Sequence, residues 1–161
     1  MIFTPFYTFT RPADTTAYTA ADLVANSATA ASVVPISWGI NGSGRWGTIR
    51  GARLYKSNKT VTAASFKLHL FGANPGVPTN GDNGALVVAS AADYLGQIAL
   101  DMSTAGFAGG TTGAFQRATA AINFNVPALN MKLYGLLEAV GAYTPASAET
   151  FTATLEIELT T

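Results

Sequence analysis

Between Phe151 and Leu159 apolar and polar residues alternate without a break. Phe151, Ala153, Leu155, Ile157 and Leu159 fall on one side, Thr152, Thr154, Glu156 and Glu158 on the other. A two-residue period is that of a β-strand with one buried and one wet face. Ser65 to Phe71 repeats the pattern, with Phe66, Leu68 and Leu70 set against Lys67 and His69, and Ile122, Phe124 and Val126 form a third, shorter alternation. Weaker strands are predicted over 3–9, 18–25, 32–38, 47–56, 94–102 and 132–140. The last segment also fits a helix, but Gly135 weakens a helix interior and so short a helix is marginal alone. Turn chemistry separates the runs at Asn41 to Gly44, Asn74 to Pro78, Asn80 to Gly84 and Ala108 to Gly113. Gly72 to Ser90 is the longest irregular stretch. Short strands without a composition break predict an all-β fold: a single-domain antiparallel β-sandwich, jelly-roll-like, with long loops.

The N-terminus has a different texture. Ile2, Phe3, Phe6, Tyr7 and Phe9 crowd together, cut by Pro5 and closed by Arg11-Pro12. Proline cannot donate to a sheet ladder, which suits an edge strand or an extended arm. Residues 1–11 are therefore set apart as an aromatic arm or edge strand, and 12–161 as the β-sandwich domain. Burying one such aromatic is worth roughly 1.5–3 kcal/mol. The run must dock, either on its own sandwich or on a neighbour.

Composition sharpens this picture. Charged residues make up 11% of the 161 residues, nine basic and nine acidic, against about 25% in an ordinary domain. A surface of Thr, Ala, Asn, Ser and Gly suits a protein packed against neighbours, or an extracellular or virion β-protein. Balanced charge argues against direct binding of nucleic acid, and no apolar stretch is long enough to span a membrane as a helix. The segment MIFTPFYTFTRPADTT has neither the basic nor the apolar region of a secretory signal. With no cysteine there is no disulfide framework, thiolate metal site or cysteine nucleophile.

The charges are unevenly placed. Arg45, Arg50, Arg53, Lys56, Lys59 and Lys67 occupy the middle of a stretch from Asp22 to Asp82 that contains no acid. Glu138, Glu149, Glu156 and Glu158 end the chain with no base among them. These opposite charges either neutralise each other across adjacent strands, meet between subunits, or leave the basic segment facing an acidic partner. The candidate partner-binding set is accordingly Ile2, Phe3, Phe6, Tyr7 and Phe9 in the arm, with Arg45, Arg50, Arg53, Lys56 and Lys59 in the basic segment.

No stretch of the chain carries a catalytic signature. Gly42 to Gly47 spells G-x-G-x-x-G, but the residues after it read as a strand and no acid lies where a ribose would need one. His69 is the lone histidine and sits mid-strand, so a triad has nowhere obvious to form. Glu156 and Glu158 lie on one strand face, where they serve solubility better than glycoside hydrolysis. Asn80 to Gly84 offers oxygen ligands without the glutamate of an EF-hand loop and reads as a tight turn. Trp38, Trp46, Tyr55, Tyr94, Tyr134 and Tyr143 could stack on sugars, anchor an interface or fill the core. The expectation is a non-enzymatic protein with no catalytic residue, metal or cofactor.

Across nearly the whole chain, residues 11–27, 47–57, 64–71, 80–85, 92–102 and 134–156 together resemble the capsid decoration, or cement, proteins of tailed bacteriophages. The resemblance implies a β-sandwich or jelly-roll domain on the outer surface of the virion capsid. It implies a homotrimer that bridges subunits of the major capsid protein and stabilises the shell. No functional residue carries over, because the family has no active site. The alternative functions are a phage fibre or a receptor- or carbohydrate-binding β-module that uses exposed aromatics and, ranked last, a hydrolase with an unrecognised site.

Overall fold

In the computed structural model the alternation from Phe151 onward becomes the last strand, Thr150–Leu159 (β11), whose Phe151, Ala153, Leu155 and Ile157 are fully buried. The structure describes residues 2–40, 46–104, 107–108, 113–126 and 131–160. The other strands are β1 (Ile2–Phe3), β2 (Phe6–Thr10), β3 (Asp22–Val24), β4 (Ile36–Gly39), β5 (Trp46–Lys56), β6 (Ser65–Phe71), β7 (Tyr94–Asp101), β8 (Phe107–Ala108), β9 (Ala114–Asn125) and β10 (Lys132–Ala139). Two 3-10 turns, Ala30–Ser32 and Met102–Thr104, complete the regular structure of the described residues.

The strands form two antiparallel sheets. Sheet A runs β1-β11-β5-β9-β8, with β2 also on β11; sheet B runs β3-β10-β6-β7, with β4 also on β10. The chain thus pairs as if folded in half and rolled: β1 and β2 with β11, β3 and β4 with β10, β5 with β9, β6 with β7. This is jelly-roll connectivity, and the fold is an all-β sandwich as its pattern predicts.

One irregularity keeps the faces in phase. Along β5 the partners step from Ile49↔Ile157 to Gly51↔Glu156, leaving Arg50 as an extra residue. The bulge lets Ile49 and Ala52, three apart, both point into the core. That core includes Trp38, Leu54, Phe66, Leu68, Leu70, Leu133, Leu137, Phe151, Leu155 and Ile157. Trp38 of sheet B donates its indole N–H to the Ala153 carbonyl of sheet A at 3.0 Å.

A smaller apolar cluster lies outside sheet B. Leu23, Ala25, Val33, Phe71 and Leu136 are covered by Leu86 and Val88 of the segment after β6. That segment hydrogen-bonds along β3: Leu23 N–H to the Gly84 carbonyl, Asn83 N–H to the Leu23 carbonyl, and Leu86 N–H to the Ala21 carbonyl. A buried polar cluster pins it further. Asp82 accepts from Arg11 Nη2 (3.0 Å), Tyr18 OH (2.8 Å) and the Ala25 N–H (2.8 Å), while Arg11 also bonds Asp14. Burial raises the Asp82 carboxyl above its ordinary value, with these donors opposing the shift. Asp82 is therefore a structural tie, and its oxygens are occupied by protein donors.

Several elements differ from expectation. The strand over 18–25 contracts to Asp22–Val24, and that over 32–38 becomes a 3-10 turn followed by Ile36–Gly39. The alternation at Ile122 is only the end of β9, twelve residues long. The segment 132–140 is a strand, and Gly135 gives it a place under the Trp38 ring.

Candidate functional site

The outer face of sheet A is built in transverse rows. Thr8, Thr152, Tyr55, Phe115 and Phe107 pair directly across β2, β11, β5, β9 and β8. Phe6, Thr154, Arg53 and Arg117 form the next row, and Ile2, Glu158, Thr48 and Asn123 one further along. Opposed residues in an antiparallel ladder share a face, so all of these look the same way.

The centre of this face is ionic. Glu156 accepts from Arg53 Nε at 2.7 Å and from Arg117 Nε and Nη2 at 2.8 and 2.5 Å. Arg50 Nε donates to Glu158 at 2.6 Å. The Arg117 bonds pull the Glu156 carboxyl down to about 2, against burial that would raise it, and Arg53 adds to the effect. The pattern predicts a wet, solubilising face for Glu156; instead the two arginines cover it and it is buried. Around this neutralised centre stand exposed apolar side chains: Ile2 at 70%, Phe6 at 71%, Trp46 at 60% and Phe107 at 64%.

The predicted partner-binding residues therefore separate. Ile2 and Phe6 point outward, Phe3 and Tyr7 are half-buried, and Phe9 is buried, its ring stacked on Phe151 at 5.6 Å. The arm lies along the edge of its own sheet, with five residues of β2 paired to β11. Pro5 still accepts from the Leu155 N–H through its carbonyl. Arg50 and Arg53 are paired within the chain. Lys56 is fully buried, donating to the carbonyls of Asn58 and Thr60, to Tyr143 OH and to Glu149. Burial pushes its ammonium below the ordinary value, with Glu149 opposing. Lys59 is exposed, and Arg45 lies outside the described residues.

The aromatics divide likewise. Trp38 and Tyr143 are core residues, whereas Trp46, Tyr55 and Tyr94 are exposed. Tyr94 belongs to a chain of polar contacts on sheet B that the sequence did not announce. His69 Nε2 lies 2.7 Å from Glu138 and its Nδ1 lies 3.1 Å from Tyr94 OH; Lys67 Nζ donates to Glu138. Register places Leu136, two residues before Glu138, opposite His69, but the signal is visible only once β6 and β10 are known to be neighbours. Burial and the Glu138 charge raise the Tyr94 phenol, so it is held protonated rather than activated as a nucleophile. Burial would raise Glu138, but the bonds from His69 and Lys67 hold it below its ordinary value. The arrangement orients Tyr94.

An open cleft of about 370 Å³ occupies one corner, where the start of β5 and the end of β9 meet the start of β7. Trp46, Gly72, Ala92, Asp93, Tyr94, Leu95, Asn123, Phe124 and Asn125 line it. Among the described residues no group of three His, Cys, Asp or Glu side chains is placed to hold a metal ion, and no helix could cross a membrane. No protein-family model matches the chain, and no curated protein matches it.

Proposed function

We propose that this chain is a structural virion protein that decorates the outside of a tailed-phage capsid, docked as a homotrimer that bridges major capsid protein subunits. The observation that supports the reading is the outer face of sheet A. Its arginines and glutamates are already paired with one another. Covering such a face strands no unpaired charge, which is the main electrostatic penalty of association. The surrounding Ile2, Phe6, Trp46, Tyr55 and Phe107 supply apolar area that a lone soluble domain has no reason to display together. The sequence resemblance supplies the identity of the neighbour. Jelly rolls serve in viral capsids and in lectins alike, so the fold itself does not choose the function.

The test is decoration of heads stripped of this protein, followed by reconstruction of the particle. The wild type should bind as threefold clusters through sheet A, and Phe6→Glu with Tyr55→Glu should abolish binding while the free protein stays folded. Single copies without like neighbours, or normal decoration by the double variant, would overturn the reading.

A further inference from the structure

We infer that the corner cleft is a binding site for a neutral saccharide. The inference does not depend on the capsid reading, because it is tested on the free protein; the cleft shares Trp46 and Asn123 with the outer face of sheet A, so docking through that face would cover it.

A pyranose presents two chemistries at once: a flat C–H face and a rim of hydroxyls that both donate and accept. A site for it needs an exposed aromatic plane beside planar polar groups. Trp46 provides the plane, lining the cleft with its ring largely open to solvent. Leu95 and Phe124 continue the apolar wall, and Gly72 and Ala92 leave room by their small size. The polar rim is Asp93, Asn123 and Asn125. Thr48 Oγ1 donates to Asn123 Oδ1 at 2.8 Å, which fixes that amide and leaves its NH2 to donate elsewhere. Among the described residues the side chains of Trp46, Asp93 and Asn125 make no hydrogen bond or ion pair, so their polar atoms are available.

Tyr94, also in the lining, is held from behind. Its hydroxyl meets His69 Nδ1, and Phe71 packs edge-on at 5.4 Å between ring centroids. His69 is in turn fixed by Glu138. That chain makes Tyr94 a rigid wall, which lowers the ordering cost of binding.

Charge selects within the sugars. Among the described residues no Lys or Arg lines the cleft and one carboxylate does. Sialic acids, uronic acids and sugar phosphates therefore meet repulsion that none of these residues compensates. The volume of about 370 Å³ sits near the lower end of ligand clefts, enough for a short saccharide rather than a long chain. One open site of this kind binds weakly, in the millimolar range of about −4 kcal/mol.

Tryptophan fluorescence reads the site directly, because Trp38 is fully buried and Trp46 is exposed. The free protein is titrated with cellobiose, maltose, lactose and N,N′-diacetylchitobiose, with sialyllactose as the acidic control, and amide shifts are followed in parallel. At least one neutral disaccharide should give a saturable blue shift, with perturbed amides confined to the surroundings of 46, 72, 92–95 and 123–125. Trp46→Ala and Asp93→Ala should each weaken binding at least tenfold with an unchanged unfolding midpoint. His69→Ala should weaken it less, through loss of the Tyr94 support. No saturable response to any neutral disaccharide, binding retained in Trp46→Ala, or tighter binding of sialyllactose would each overturn the inference.

Discussion

Gly135 lies directly beneath the ring of Trp38: a β-carbon there would stand 2.7 Å from Cη2 of the indole and 3.2 Å from the His69 carbonyl oxygen. The same indole bonds Ala153 in the opposite sheet, so it cannot lift away without loosening the contact between layers. Gly135→Ala should therefore cost about 1–3 kcal/mol by overpacking, measured by urea unfolding. In a Trp38→Phe background the added methyl meets a smaller ring, and the two losses should sum to less than their separate values. Full additivity would show that the methyl strains the backbone instead.

The ion pairs of sheet A set the acid limb of stability. Glu156 has a folded-state pKa of about 2 against an ordinary 4.5. A depressed carboxyl stabilises the fold above its unfolded value, and that stability is lost as pH falls from 4.5 to about 2. Because Arg53 and Arg117 are half-exposed, we expect on the order of 1–3 kcal/mol. Glu156→Gln should lose this much near neutrality and show a flatter decline on acidification. The wild type and variant curves should converge towards pH 2. Glu138 and Asp14 are also held below their ordinary values, so the variant retains part of the acid response. Parallel curves for the two proteins would contradict the assignment.

Asp82 should be among the costliest charges to remove. It shares a buried ion pair with Arg11, whose side chain is also fully buried. Asp82→Ala leaves the guanidinium with Asp14, which is partly exposed, and unties Tyr18 and the Ala25 N–H. The loss should be about 3–5 kcal/mol. Hydrogen exchange should accelerate first at Leu23, Asn83 and Leu86, whose amides join this segment to β3 and its approach. A loss of stability with unchanged exchange at those amides would show that the cluster does not hold this segment down.

Legibility in the sequence tracks the strength of the period. β6 is found over its full length, and β11 over all but its first residue, because large apolar residues mark the inward side. The first half of β9 shows no readable period: its inward side carries Ala118 and Ala120, which small size makes indistinguishable from the Ala and Thr around them. The bulge at Arg50 was illegible because it exists only relative to the partner strand. Opposite charge in the middle and at the end of the chain was legible, but which lysine would be buried was not. Lys56 and Arg53 look alike in sequence; three residues apart, with Ala52 and Leu54 inward, one faces the core and one the solvent. The cleft was hidden for the same reason, since Trp46, Asp93 and Asn125 come from three separated stretches.

The N-terminal strand pair divides into a half that folds the protein and a half that faces outward. Phe9 is buried and stacks on Phe151, and Tyr7 packs against the same core. Phe9→Ala removes that ring from a site bounded by fixed strands, and should cost about 3–5 kcal/mol. Deleting residues 2–9 should be worse still, since it also uncovers the β11 edge that β1 and β2 occupy. Ile2 and Phe6 are different: at 70% and 71% exposure their side chains support little of the fold. Ile2→Ser with Phe6→Ser should shift stability by no more than about 0.5 kcal/mol. Under the proposed function the same double variant should dock poorly on stripped heads, because two apolar contacts are lost from the covered face. Thermal unfolding of the free protein and a head-binding assay separate the two halves. If the double variant unfolds early, the outward pair belongs to the core; if it is stable and docks normally, β1 and β2 act only as an edge strand of their own sandwich.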